Sequence, residues 1–162
     1  MLDTIAALLL AHALADFVFQ SRWMVENKHD MPPLLAHTAI VFALSLAALG
    51  GAFWPALLVA LLHLQIDFAK ARLGGQSLGP FLADQAAHGV AILVTALLFP
   101  LAVANGLWPA IHPDAGQAMA LLAGLILATR MGQFLVGKLM APYADAIHEE
   151  DGLPDGGALI GL

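Results

Sequence analysis

The stretch LLLAHALADFVF, residues 8–19, sets a histidine and an aspartate four residues apart in an otherwise apolar run. LLHLQIDF, residues 61–68, repeats the pattern fifty-one residues later. A carboxylate placed in the middle of a bilayer costs roughly 2.5–3.5 kcal/mol on the insertion scale, so such residues need partners or a function. On an α-helix, residues i and i+4 stack on one face. His12/Asp16 and His63/Asp67 therefore each present two ligand-type side chains from one helix face. These runs, read as buried membrane helices, decide the fold class: all-α, a polytopic membrane helical bundle.

The composition agrees. Of 162 residues, 60% are hydrophobic and 11% charged, where a soluble domain carries about 25% charged residues. Mean hydropathy is +0.84. No low-complexity tract or long linker divides the chain, which predicts one membrane domain over 1–141 and a tail over 142–162. Cysteine is absent, which excludes disulfides, thiolate zinc sites, iron–sulfur clusters and thioether-attached haem. The net charge of −6 gathers after Pro142, in Asp145, Glu149, Glu150, Asp151 and Asp155, and marks an acidic, solvated, cytoplasmic tail. Six Lys and Arg without a basic stripe exclude nucleic-acid binding as the expected role. The N-terminal run has Asp3 where a secretory signal carries Lys or Arg, so it reads as a retained first span.

Five apolar segments, about 2–21, 34–53, 55–73, 81–104 and 117–139, each approach the roughly 20 residues a bilayer requires. Pro32-Pro33, Gly50-Gly51, Gly74-Gly75 and Pro109 with Pro113 punctuate the links, and Trp23, Trp54 and Trp108 fall at predicted ends. Arg22 and Lys28 follow the first segment, Lys70 and Arg72 end the third, and Lys138 closes the fifth, while 50–55 and 105–116 carry no Lys or Arg. The positive-inside rule then puts the N-terminus outside and the C-terminus in the cytoplasm. A bacterial inner membrane is the expected location.

Alternation of direction brings His12, Asp16, His37, His63, Asp67, Asp84 and His88 into one layer in the cytoplasmic half of the membrane. Arg130 reaches the same depth as a counter-ion for Asp84 or a substrate contact. Gln20 extends the first pair by a further turn, and Gln85 stands beside Asp84. The pairs belong to an internal repeat: His12, Asp16, Phe17, Ala36 and His37 correspond to His63, Asp67, Phe68, Ala87 and His88, always fifty-one apart. A duplicated two-span unit, about 2–53 and 55–104, predicts a parallel repeat around an axis along the membrane normal. Asp84 has no counterpart, because Pro33 stands at its place. The remaining His29, His112 and His148 read as surface residues.

His12-Asp16-Phe17-Gln20, His37, His63-Asp67 and Asp84-Gln85-His88, in this order, resemble the bacterial membrane proteins of domain of unknown function family 3307. The resemblance covers about residues 5–100 and implies no activity. GLPDGGALIGL, near the end, resembles the point where longer members continue into further spans. A looser similarity is to the inner-membrane proteins called membrane-bound metal-dependent hydrolases, which also distribute H-x3-D over short spans; it implies metal binding more than hydrolysis.

Three carboxylates at one depth are a poor exchange for polar glue, since interhelical hydrogen bonds average well under 1–2 kcal/mol. The seven residues are expected to hold one or two divalent transition-metal ions, and imidazole with carboxylate suits Zn, Mn or Fe. Asp84 is the candidate general base or asymmetric ligand; Gln20, Gln85 and Arg130 are candidate substrate or supporting residues. The expected function is a metal-dependent hydrolase acting on a lipid head group or small phosphoester from the cytoplasmic side. The alternative is a cation or proton transporter using the same cluster, with haem binding or an assembly role further behind. Membrane lipids and a second copy of the chain are the expected partners.

Overall fold

The computed structural model describes residues 1–75 and 77–144. The acidic stretch 145–162, with His148, lies outside the described residues. Every regular element among those described is helical: α1 Leu2–Phe17, α2 Arg22–Glu26, α3 Met31–Ala48, α4 Phe53–Leu73, α5 Leu78–Leu98, α6 Trp108–Ile111, α7 Ala115–Ile126, a π-helical turn Leu127–Met131, and α8 Gly132–Ala144.

The helix limits differ from the apolar limits for local reasons. Pro32 and Pro33 lie inside the first turn of α3, where a missing N–H costs nothing, so that helix starts at Met31. Gly50 and Gly51 adopt positive φ and end α3, and the Leu107 N–H closes on the Gly50 carbonyl at 3.0 Å. Phe99 precedes Pro100 and is forced out of helical geometry (φ −129°, ψ 60°), which ends α5 at Leu98. The N–H groups of Val18 and Phe19 both fold back on the Leu14 carbonyl, and α1 stops at Phe17. Ser21 then accepts from the Met24 N–H and caps α2.

Among the described residues, three helices are long and apolar enough to cross a membrane: Met31–Ala48, Leu78–Leu98 and Ala115–Ala141. The last runs through α7, the π turn and α8. α1, at 16 residues, is about 24 Å long, short of the ~30 Å hydrocarbon core. α4 has 21 residues but ends in Asp67, Lys70 and Arg72.

α1, α3, α4 and α5 close a ring, each packing on two others, and α7 lies outside it against α1. α1 is the most enclosed helix because its inward residues are small: Ala6, Ala7, Ala11, Ala13 and Ala15 are all buried, and small residues let helices approach closely. Gly116 serves the same end, since a Cβ there would collide with the Asp3 carboxylate. On the outward faces of α5, α7 and α8, Val90, Leu97, Leu121, Leu125 and Val136 expose their side chains, an apolar exterior suited to lipid.

Candidate metal centre

Every helix of the ring contributes polar side chains to its interior. α1 brings His12 and Asp16, α3 brings His37, α4 brings His63 and Asp67, and α5 brings Asp84 and His88. His37, His63 and His88 are each only 2% exposed. Ring centroids lie 4.9 Å apart for His12–His88, 4.2 Å for His63–His88 and 5.0 Å for His37–His63. The four imidazoles thus form one continuous cluster.

Two sets of donor atoms stand out. In the first, His88 Nδ1 lies 2.9 Å from the Asp84 carbonyl, which can only accept, so the nitrogen donates and Nε2 keeps its lone pair. His12 Nε2 lies 3.3 Å from Gln85 Oε1. The Gln85 amide is oriented by its Nε2, which donates to Asp84 Oδ2 at 3.2 Å; His12 therefore donates too, and its Nδ1 keeps the lone pair. Among the described residues, buried His12 Nδ1, Asp16 Oδ1 and His88 Nε2 make no hydrogen bond, although Asp16 Oδ1 has ion-pair contacts with His37 and His63. His12, Asp16 and His88 each offer a ligand atom within 4.8 Å of the other two. Imidazoles that donate through one nitrogen and turn the other to a common centre are the usual arrangement around a metal ion.

The second set is tighter. His37 Nε2 and His63 Nε2 are 3.0 Å apart. Asp16 Oδ1 lies 3.2 Å from His37 and 3.5 Å from His63, and Asp67 Oδ2 lies 3.5 Å and 3.4 Å from the same two nitrogens. Ligands about 2.0–2.1 Å from a tetrahedral ion stand roughly 3.3–3.4 Å from one another. Within Asp16, His37 and His63, whose donor atoms all lie within 4.8 Å of one another, the separations of 3.0–3.5 Å fall near that edge length, and the shortest of them is a hydrogen bond between the two imidazoles. The two sets share Asp16, and His63, Asp67 and His88 form a further close triad.

Asp84 stands apart from these triads. Its Oδ2 takes an ion pair from Lys70 and the hydrogen bond from Gln85, while its Oδ1 is buried and makes no hydrogen bond among the described residues. Arg130, expected as a counter-ion for Asp84, instead sits exposed in the π turn. Gln20 does not extend a helical comb, because α1 has already ended; it reaches the site from the loop that follows.

A cavity of about 360 Å³ opens above the cluster, with Asp16, Gln20, Asp84 and Gln85 in its lining, within the usual size range of small-molecule sites. Below the cluster, between Leu8, Val41, Val59 and Ile92, the space shrinks to about 10 Å³, at or under what one water needs. Lys28, His29, Lys70 and Lys138 also line the open side. Sequence reasoning placed the lysines at the interface as topology signals and His29 at the surface. For Lys70 a signal existed: 63, 67 and 70 fall on one face of α4. Lys28 and Lys138 arrive from a link and from α8, and nothing local marks them.

A family model described as Protein of unknown function (DUF3307) matches residues 4–110. The match takes in all seven clustered His and Asp residues and stops before α7. No curated protein and no solved structure matches the chain.

Proposed function

The chain belongs to that DUF3307 family, and we propose that it is a membrane-embedded, metal-dependent hydrolase of phosphoesters, worked from the cytoplasmic side. The observation that carries this reading is the first donor set: the buried His12 Nδ1, Asp16 Oδ1 and His88 Nε2, with the two imidazoles fixed in tautomer by Gln85 and the Asp84 carbonyl. Three protein ligands leave a fourth position open, as catalytic zinc sites do. Asp16, His37 and His63 form a second group whose donor atoms lie within 4.8 Å of one another and would hold a second ion. A divalent transition metal held by His12, Asp16 and His88 would supply a water of lowered pKa and polarise a phosphoryl oxygen.

The chain's own residues provide the rest. Asp84 has one oxygen held by Lys70 and Gln85, while the other, 3.9 Å from His88 Nδ1, makes no hydrogen bond among the described residues, which suits a proton acceptor. Hydrolysis adds water to phosphorus, breaks the bond to the leaving alcohol oxygen, and delivers a proton to that oxygen. Asp84 takes the water's proton and returns it to the leaving group. In this reading all five long helices lie in the membrane, α1 and α4 sheltered by the three apolar spans, with the N-terminus outside. The fifty-one-residue repeat is the origin of the paired His-Asp helices.

A screen of phosphomonoesters and phosphodiesters with detergent-purified protein tests the activity. Metal-dependent release of alcohol or phosphate, cut at least about 100-fold in Asp84→Asn, is the expected outcome. A loaded protein that hydrolyses none of them, yet carries protons or cations into proteoliposomes, would replace this reading with the transport one.

A further inference from the structure

The chain has three lysines and a net charge of −6, yet Lys28, Lys70 and Lys138 all line the cavity above the His/Asp cluster. They come from three separate places: the link before α3, the last turns of α4, and α8. Lys70 is engaged with Asp84. Lys28 lines the vestibule beside His29, and Lys138 approaches the Phe81 ring at 5.7 Å. A positive vestibule above a floor of acids selects an anion that can reach the floor, and phosphate esters have that chemistry.

The vestibule also has a side exit. A second cavity, of about 390 Å³, is lined by Phe17, Arg130, Gln133, Phe134, Gly137 and Lys138. Phe17, Phe134 and Lys138 line both spaces. The two phenylalanine rings stand 5.9 Å apart and form the sill between vestibule and groove. The groove lies between the end of α1 and α8, with exposed Phe134 in its wall, and α8 also exposes Val136, Leu139 and Met140 on its other faces. Arg130 marks its far end in the π turn, a helix irregularity frequent at functional sites. A charged pocket continuous with an apolar outer face fits a molecule with an anionic head and hydrocarbon tails.

We propose that the gap between α1 and α8 is a lateral portal for an anionic phospholipid, whose phosphate ester head enters between Lys28 and Lys138, past Arg130, while its acyl chains stay along α8. The choice of a phosphate ester rests on the hydrolase reading above; the lipid binding itself does not require the metal. The lysines set specificity and do no chemistry.

The test is calorimetric titration of the detergent-purified full chain with dioctanoyl phosphatidic acid, dioctanoyl phosphatidylcholine and inorganic phosphate. Phosphatidic acid binds at least about tenfold more tightly than phosphatidylcholine. Lys28→Gln/Lys138→Gln loses that preference, Lys28→Arg/Lys138→Arg keeps it, and both pairs retain the wild-type thermal unfolding and metal content. Arg130→Gln weakens the lipid and leaves inorganic phosphate unchanged. Equal binding of the two lipids, or an undiminished preference in the glutamine pair, overturns the portal. Inorganic phosphate binding as tightly as phosphatidic acid overturns the lipid as its occupant. Repeating the titration after chelation separates the two readings: selectivity in a chain that never holds metal removes the hydrolase alone, and metal without selectivity removes the portal alone.

Discussion

His88 is oriented by its own helix: Nδ1 donates to the Asp84 carbonyl one turn earlier, which turns Nε2 toward His12 and Asp16. His12 depends on Gln85 in the same way, across the α1–α5 contact. Gln85→Ala should therefore lower metal affinity by about 10–100-fold, the usual effect of removing an outer hydrogen bond to a ligand. Competition with a chelating dye measures this; unchanged affinity would deny Gln85 its orienting role. Lys70 and Asp84 make a different case. Asp84 is 3% exposed and Lys70 26%, so Lys70→Met strands a buried carboxylate and should cost about 2–4 kcal/mol, somewhat less than for a fully buried pair. Lys70→Met/Asp84→Leu should recover most of that loss in denaturant unfolding. The His-Asp pairs were legible in the sequence because helical spacing alone puts i and i+4 together. The partner of Asp84 was not, because an ion pair between α4 and α5 depends on how far a flexible lysine reaches.

At the scale of elements, the sequence located the five long helices but misjudged several ends. Prolines 32 and 33 read as breakers, although a helix tolerates them in its first turn. Gly50 was legible as a stop, and the structure supplies the reason: φ is +68°, and a Cβ would come 2.6 Å from the Leu107 nitrogen. Gly50→Ala should destabilise the fold by more than the ~1–2 kcal/mol of the left-handed conformation alone. Thermal unfolding in detergent reads the effect, and a wild-type midpoint would show that this link can be rearranged freely. Trp108, expected as an interfacial aromatic, also donates through Nε1 to the Ala47 carbonyl at 2.9 Å. That bond helps tie the last turn of α3 to the α5–α7 connection at the end of the bundle away from the cluster. The π turn at 127–131 had no signature in the sequence, since each of its residues is equally at home in an α-helix.

Across the whole molecule, four helices make the ring that carries the cluster, and the matched family segment, residues 4–110, contains that ring entire. The fifth long helix lies outside both and shapes the mouth of the cavity through Phe134 and Lys138. Convergence of seven polar side chains was foreseeable from alternating helix directions. The split into overlapping three-atom sets was not, because it follows from rotamers and from which nitrogen each imidazole turns inward. The central claim is that these sets hold metal. Elemental mass spectrometry on detergent-purified protein, beside a His12→Ala/His63→Ala variant shown to be folded by its unfolding transition, tests it most directly. The account predicts at least one equivalent of Zn, Mn or Fe per wild-type chain and loss of it in the variant. A wild-type chain that stays metal-free after reconstitution, or a folded variant that keeps its full complement, would contradict it.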